Sequence, residues 1–293
     1  MRRFTIQSAF IVLIGLAAVV VPILFRAWRG AIERSREAQA AEPFRIAGNL
    51  YYVGTNDASI FLITGPEGHV LLYGGDGWER HILASIAKLG FDIKDVKVLI
   101  NADPHEAGAL AALQQASGGQ LWVGDVSASI MTAGGQDPEA ALPFRTLVRI
   151  GAAGASYKPP RVDHRFKDGD TIRVGPTALT AHITEGKSRG CTSWSFPVRD
   201  GDRVLHVVSV CDLSRVKGMR YQGQDEALER SFGVLRSLPA DIWVTGRSRT
   251  WGRYRKFAAS GTAKNPVDPF IDPGGYRAYI DAAEGDLRND VFH

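Results

Sequence analysis

The sequence predicts an α/β domain of two β-sheets packed together and covered by helices on the outside, preceded by a transmembrane helix. Strand-like runs followed by helix-like runs occur twice along the chain, an order that suits layered sheets with helical cover. A chain of 293 residues, 45% hydrophobic and 23% charged, can bury one large core or two modest ones. The run from Phe4 to Phe25 carries no charge.

Thr5, Gln7 and Ser8 are the only polar side chains in that run. As a helix it is about 33 Å long, enough to cross the hydrocarbon core of a bilayer. Arg2 and Arg3 precede it, and Arg26 and Arg29 follow it. Ala38-Gln39-Ala40 has the small-x-small pattern of a signal-peptide cleavage site, but it lies well beyond the apolar run, where cleavage is unusual. An uncleaved membrane anchor over residues 1–26 is therefore expected, with a cleaved signal peptide as its rival. Residues 27–42 read as a polar juxtamembrane stalk, and residues 43–293 as one globular domain.

Within the domain, Asn49 to Val53, Ser59 to Thr64 and His69 to Tyr73 read as short strands. Thr55-Asn56-Asp57 and Gly65-Pro66-Glu67-Gly68 supply the turn chemistry between them. Trp78 to Leu89 has apolar residues at helical spacing and stops at Gly90, a suitable C-terminal cap. A buried strand from Val96 to Ile100, a helix from Ala107 to Ala116 and a strand from Leu121 to Val123 follow. Residues 134–160 are rich in Gly, Ala and Pro and read as a long surface loop. Strands are then expected at Thr171 to Val174, Thr177 to His182, Thr192 to Val198 and Val204 to Val210, the last two joined by an Arg199–Asp202 hairpin turn. A helix from Glu226 to Leu238, a strand from Ile242 to Thr245 and a terminal helix from about Pro273 complete the pattern.

Several function classes are excluded by composition and motif. Net charge is +4, with no block of five or more basic residues, so the electrostatic footprint of a nucleic-acid binder is absent. There is no G-x-S-x-G elbow, no P-loop and no dinucleotide fingerprint. Cys191 and Cys211 allow at most one bridge. Counting outward from the hairpin turn places them nearly opposite one another, which permits a disulfide, although two buried free cysteines are the commoner outcome.

From about Pro43 to the C-terminus the chain resembles the third subclass of metallo-β-lactamases. The resemblance is carried by Gly48-Asn49-Leu50-Tyr51-Tyr52-Val53-Gly54, Leu89-Gly90-Phe91-Asp92, Lys167-Asp168-Gly169-Asp170, Gly190-Cys191-Thr192-Ser193-Trp194 and Phe270-Ile271-Asp272-Pro273-Gly274-Gly275-Tyr276, in that order. It implies a four-layer αββα sandwich with its site at the rim between the sheets. It also favours a periplasmic domain, whereas the excess of arginines after the apolar run favours the cytoplasm. The periplasm is the expectation adopted.

Active members of the family hold two zincs with an H-x-H-x-D-H loop, a His after a T-x-G turn and a His near a later strand end. Here Asp103-Pro104-His105-Glu106 fills a loop two residues short. The T-x-G-H turn reads Thr184-Glu185-Gly186-Lys187, the later His falls at Arg247, and Tyr73 stands where an aspartate is expected before paired glycines. Lysine and arginine are cations at neutral pH and poor zinc ligands, so the resemblance implies a degenerate site with no cofactor.

Three readings of the remaining residues follow. In the first, Asp103 and Glu106 pair with Lys187 and Arg247, and the protein is a non-catalytic binding or interaction protein of the cell envelope. In the second, Lys187 and Arg247 retain enough positive charge to bind an anionic small molecule. In the third, a reduced zinc site is assembled from Asp103, His105, Glu106 and Cys211 or Asp212, giving a divergent hydrolase. The other histidines show no ligand spacing. The group Trp243, Trp251 and Tyr254, with its neighbouring arginines, reads as a partly buried loop rather than a membrane contact.

Overall fold

The computed structural model describes residues 40–75, 77–149, 156–216 and 218–293. Their strands form a seven-stranded sheet in the order β1 to β7 and a five-stranded sheet in the order β12-β11-β10-β9-β8. The first sheet comprises β1 (Phe44–Ala47), β2 (Leu50–Tyr52), β3 (Phe61–Ile63), β4 (His69–Leu72), β5 (Val96–Ile100), β6 (Gln120–Gly124) and β7 (His164–Phe166). It is antiparallel from β1 to β4 and parallel from β4 to β7. The crossovers needed by the parallel strands are helical: α1 (Glu79–Lys88) lies between β4 and β5, and α2 (Leu110–Ser117) between β5 and β6.

The second sheet holds β8 (Thr171–Val174), β9 (Thr177–Ile183), β10 (Thr192–Asp200), β11 (Arg203–Val210) and β12 (Ile242–Thr245). Its first four strands form an antiparallel meander, and β12 joins β11 in parallel through α5 (Gln224–Ser237). The β10–β11 hairpin turns at Gly201-Asp202, between the paired Asp200 and Arg203. Positive φ at Gly201 (60°) suits such a tight turn.

One continuous apolar core joins both sheets and includes Leu62, Leu71, Leu99, Trp194, Val207 and Val244. The fully buried Trp194 of β10 stands edge-on to Phe166 of β7, with ring centroids 5.0 Å apart. Its indole N–H donates to the carbonyl of Asn101, just after β5. The strands therefore show long buried stretches, such as all four residues of β4 and of β12, as sheets covered on both faces do. The terminal helix α7 (Pro273–Arg288) starts with Asp272 accepting from the Gly275 N–H, and Tyr276 Oη donates to the Leu235 carbonyl of α5.

Several expectations are corrected. The segment read as a loop over 134–160 contains α4 (Leu142–Arg149). Phe144 and Val148, four residues apart, bury one face of it, a period that the surrounding glycines and alanines obscure. Two other helices, α3 (Asp125–Thr132) and α6 (Arg253–Ser260), and the short strands β1 and β7 were not anticipated. The helix expected from Ala107 begins at Leu110. The basic aromatic group divides: Trp243 and Trp251 are core residues, whereas Tyr254 is exposed at the start of α6. Cys191 and Cys211 form a disulfide rather than remaining free. The β10–β11 register brings their Cα atoms to 5.8 Å, inside the window that a bridge requires.

The expected span over residues 4–25 lies outside the described residues. Among the described residues no helix is long and apolar enough to cross a membrane.

Candidate functional site

The candidate site lies where the ends of β4, β5, β11 and β12 meet the loop before β10. Each element delivers one or two side chains, and local contacts fix the turns that aim them. After β4 the chain turns sharply through Tyr73-Gly74-Gly75. Tyr73 adopts a left-handed φ of 72°, an uncommon state for a residue with a large side chain. A Cβ at Gly74 would come within 2.5 Å of Leu110 Cγ, so α2 packs directly on this turn. The Tyr73 hydroxyl reaches Ser209 Oγ at 3.0 Å, and burial pushes its pKa above the ordinary tyrosine value.

After β5 the loop Asn101 to Glu106 folds on itself. Asp103 Oδ1 accepts from the His105 N–H at 2.9 Å, and the Asn101 amide donates to the Asp103 carbonyl at 2.6 Å. The His105 ring is buried and turned edge-on to Phe144, 5.1 Å between centroids. Burial lowers its pKa, and so favours the neutral ring.

Lys187 is aimed by Gly186. The Gly186 carbonyl accepts from Tyr221 Oη and Gln224 Nε2, at 3.2 and 2.9 Å. A Cβ there would lie 2.6 Å from the Asp212 carbonyl oxygen, so only glycine fits. The Lys187 N–H donates to that same carbonyl at 2.9 Å. The ammonium then projects into the site, with Glu106 Oε1 at 2.6 Å, Asp103 Oδ2 at 3.1 Å and Asp212 Oδ2 at 3.9 Å.

Arg247 approaches from the end of β12. Its guanidinium bridges Asp57 Oδ2 at 2.9 Å and Glu106 Oε1 at 3.1 Å. Two backbone bonds, Ser59 N–H to the Gly246 carbonyl and Ser248 N–H to the Asp57 carbonyl, fasten this loop to the turn after β2. Asp57 was read from sequence only as a turn residue, and nothing local marked it as the partner of Arg247.

The electrostatics are those of a closed ion cluster. Burial alone would raise the Asp103 pKa, but Lys187 and the His105 N–H outweigh it and hold the carboxyl at about 2. Burial would lower the Lys187 pKa, yet Asp103, Glu106 and Asp212 carry it above the ordinary lysine value. Glu106 is the main cause of the raised pKa of Arg247. Four carboxylates thus face two cations. The positive pocket anticipated from Lys187 and Arg247 has no surplus positive charge. The cavity bounded by Tyr73, Asp103, Glu106, Asp212 and Arg247 is about 20 Å³, space for about one water.

Of the residues anticipated from sequence, Asp103, Glu106, Lys187, Asp212 and Arg247 meet in this cluster, with Tyr73 and Cys211 lining the cavity. His105 turns toward Phe144 instead. Among the described residues, the metal-competent groups that converge are Asp103, Cys191 and Cys211, whose ligand atoms lie within 4.8 Å of one another. Cys191 was missed as a member, because its only sequence signal was its distance from the hairpin turn.

The comparisons with known proteins agree with the topology. Rm3 metallo-beta-lactamase superposes with a TM-score of 0.78 and 34% identity, covering 85% of this chain and 93% of that one. The chain belongs to the metallo-β-lactamase family. A class B3 di-zinc metallo-beta-lactamase, LRA-12 from an Alaskan soil metagenome, matches at TM-score 0.76 and 26% identity, covering 86% of this chain and 95% of that one. A hydroxyacylglutathione hydrolase from Hyphomonas neptunium is 30% identical over 90 residues, 31% of this chain and 34% of that relative's length. No family model matches. The fold is therefore that of metal-dependent hydrolases of the metallo-β-lactamase kind.

A two-zinc centre does not fit the residues present. An ammonium has no lone pair to donate. Lys187 Nζ sits within 4 Å of the three acids that would otherwise be free for metal. A divalent ion in the same place would meet two fixed cations.

Proposed function

We propose that this protein is a non-hydrolytic metallo-β-lactamase-like domain that acts by binding a partner, its zinc centre having been replaced by a salt-bridged core. One observation carries the reading: the Lys187 ammonium occupies the focus of Asp103, Glu106 and Asp212. Its charge balances the acids as a metal would, but it supplies no Lewis acid and no bound hydroxide. The cavity of about 20 Å³ also leaves a β-lactam no room beside these residues.

Of the two partner classes, an anionic small molecule or an envelope protein, we favour the protein, because acids already occupy the cations. The apolar run at residues 4–25 supports membrane attachment. The Cys191–Cys211 disulfide supports an oxidising compartment such as the periplasm. In fractionation, the full-length chain should stay with membranes after an alkaline wash, and deletion of residues 4–25 should release it. An intact chain found in the soluble fraction would refute the anchor.

The decisive test is metal content and turnover. Full-length protein, kept oxidised, exposed to zinc and desalted, should carry zinc at background by mass spectrometry and leave a chromogenic cephalosporin intact. Stoichiometric zinc together with turnover that His105→Ala abolishes would overturn the reading in favour of a divergent hydrolase.

A further inference from the structure

The Cys191–Cys211 disulfide sits directly against the ion cluster, and this placement has a chemical consequence. Asp103, Cys191 and Cys211 are all buried, with relative exposures of 2%, 0% and 1%. A carboxylate oxygen and the two sulfurs lie within 4.8 Å of one another. While the bridge is closed, neither sulfur is a thiolate, and the group cannot hold a metal through sulfur. Asp103 Oδ2 is buried and ion-paired to the Lys187 ammonium at 3.1 Å. The Asp103 carboxylate and the two sulfurs are thus three candidate ligand groups gathered in one buried place.

We propose that reducing this disulfide creates a metal site of the Cys-Cys-Asp type, so that the bridge is a redox gate on metal binding. A dithiol reductant donates two electrons and two protons. The Cys191–Cys211 S–S bond breaks, both residues become thiols, and the dithiol closes into its own disulfide. A thiophilic divalent ion such as zinc then binds both sulfurs, releasing their two protons to solvent. The Asp103 carboxylate is the third ligand. The neighbouring cavity, lined by Asp103 and Cys211 and large enough for about one water, leaves room for a fourth ligand.

The charges favour this arrangement. Two thiolates and one carboxylate carry three negative charges, which the metal and the adjacent Lys187 ammonium together neutralise. Lys187 opposes metal in the centre of the acid cluster, yet it compensates metal bound on the sulfur side. Glu106 at 2.6 Å keeps that ammonium in place if Asp103 turns toward a metal. Thiolate ligands select zinc, or cobalt as its spectroscopic substitute, over magnesium or calcium.

The test uses the full-length chain, half of it kept oxidised and half reduced with a water-soluble phosphine and desalted without oxygen. Titrating each with cobalt(II) should produce a sulfur-to-cobalt charge-transfer band saturating at one equivalent in the reduced protein and no band in the oxidised one. Zinc should displace the cobalt. Cys191→Ser and Cys211→Ser should each weaken binding at least tenfold. Should either variant fail to fold, protection supplies the same answer: zinc should slow alkylation of both thiols in reduced wild-type protein at least tenfold. The proposal is overturned if reduced protein shows no charge-transfer band, or if zinc leaves alkylation unchanged. Equal metal uptake by oxidised protein would overturn it too, and would separately refute the salt-bridged reading of the centre.

Discussion

Lys187 and Lys256 are both buried lysines, one at the rim of the sandwich and one beneath the C-terminal helix, and their surroundings drive them in opposite directions. Lys187 has three carboxylates within 4 Å, and its pKa is raised. Lys256 has one, Asp272 at 2.9 Å, and the face of Trp243 at 5.4 Å. Burial wins there, and its pKa is lowered. Asp272 already serves as the cap of α7, accepting from Gly275, and it also accepts from the Trp243 indole. Burial penalises every lysine, and the number of acids aimed at it decides the outcome. Lys256 is an accessory to a helix cap, whereas Lys187 is the central charge of its cluster.

The comparison is tested most severely by Lys187→Met. Removing the ammonium leaves Asp103 and Glu106 buried against each other, a loss of about 3–5 kcal/mol. Urea denaturation of the oxidised chain should show it, and a loss below about 1 kcal/mol would mean that the acids are not held by this lysine. Acid comes next. The folded Asp103 pKa of about 2 lies below its unfolded value, so its contribution is complete above about pH 4 and disappears as the pH falls through 2. That contribution is on the order of 2 kcal/mol, and Lys187→Met should abolish most of the slope.

Lys256→Met should be milder, about 1 kcal/mol by denaturation, because Asp272 keeps its bonds to Gly275 and Trp243. The smallest effect is at alkaline pH. Lys187, with a raised folded pKa, contributes stability that is complete below its unfolded pKa and lost as pH rises through the folded one. Lys256, with a lowered folded pKa, contributes in the opposite sense: its stabilising effect is present above the unfolded pKa and lost as pH falls through the folded one. Difference curves of each Met variant against wild type should therefore slope in opposite directions. Parallel curves would erase the distinction between the two sites.

Much of the fold was legible because its signals are local. Alternation and turn chemistry located the β10–β11 hairpin to within two residues, and the start of α7 near Pro273 could be read from a first-turn proline. Helix α4 was hidden because, among its described side chains, Phe144 and Val148 carry the buried face, in a stretch whose surroundings are rich in glycine and alanine. At the site, Lys187 and Arg247 stood out against the pattern of the family that the chain resembles, which is why a degenerate metal site was the expectation from the chain alone.

Motifs that resemble those of metallo-β-lactamases thus made the family and the layered architecture legible in the chain, and periodicity marked the individual strands and helices. Only the tertiary structure decided which charges meet. Glu106 lies 81 residues from Lys187 and 141 from Arg247, and Asp57 lies 190 from Arg247, so their pairing depends on how the two sheets bring loop ends together at one rim. The same holds for the disulfide: two cysteines separated by 20 residues become a bridge only once the hairpin register sets their Cα distance. Sequence spacing governs local hydrogen bonds, whereas Coulomb and covalent contacts at the site depend on distances that exist only after the core has packed.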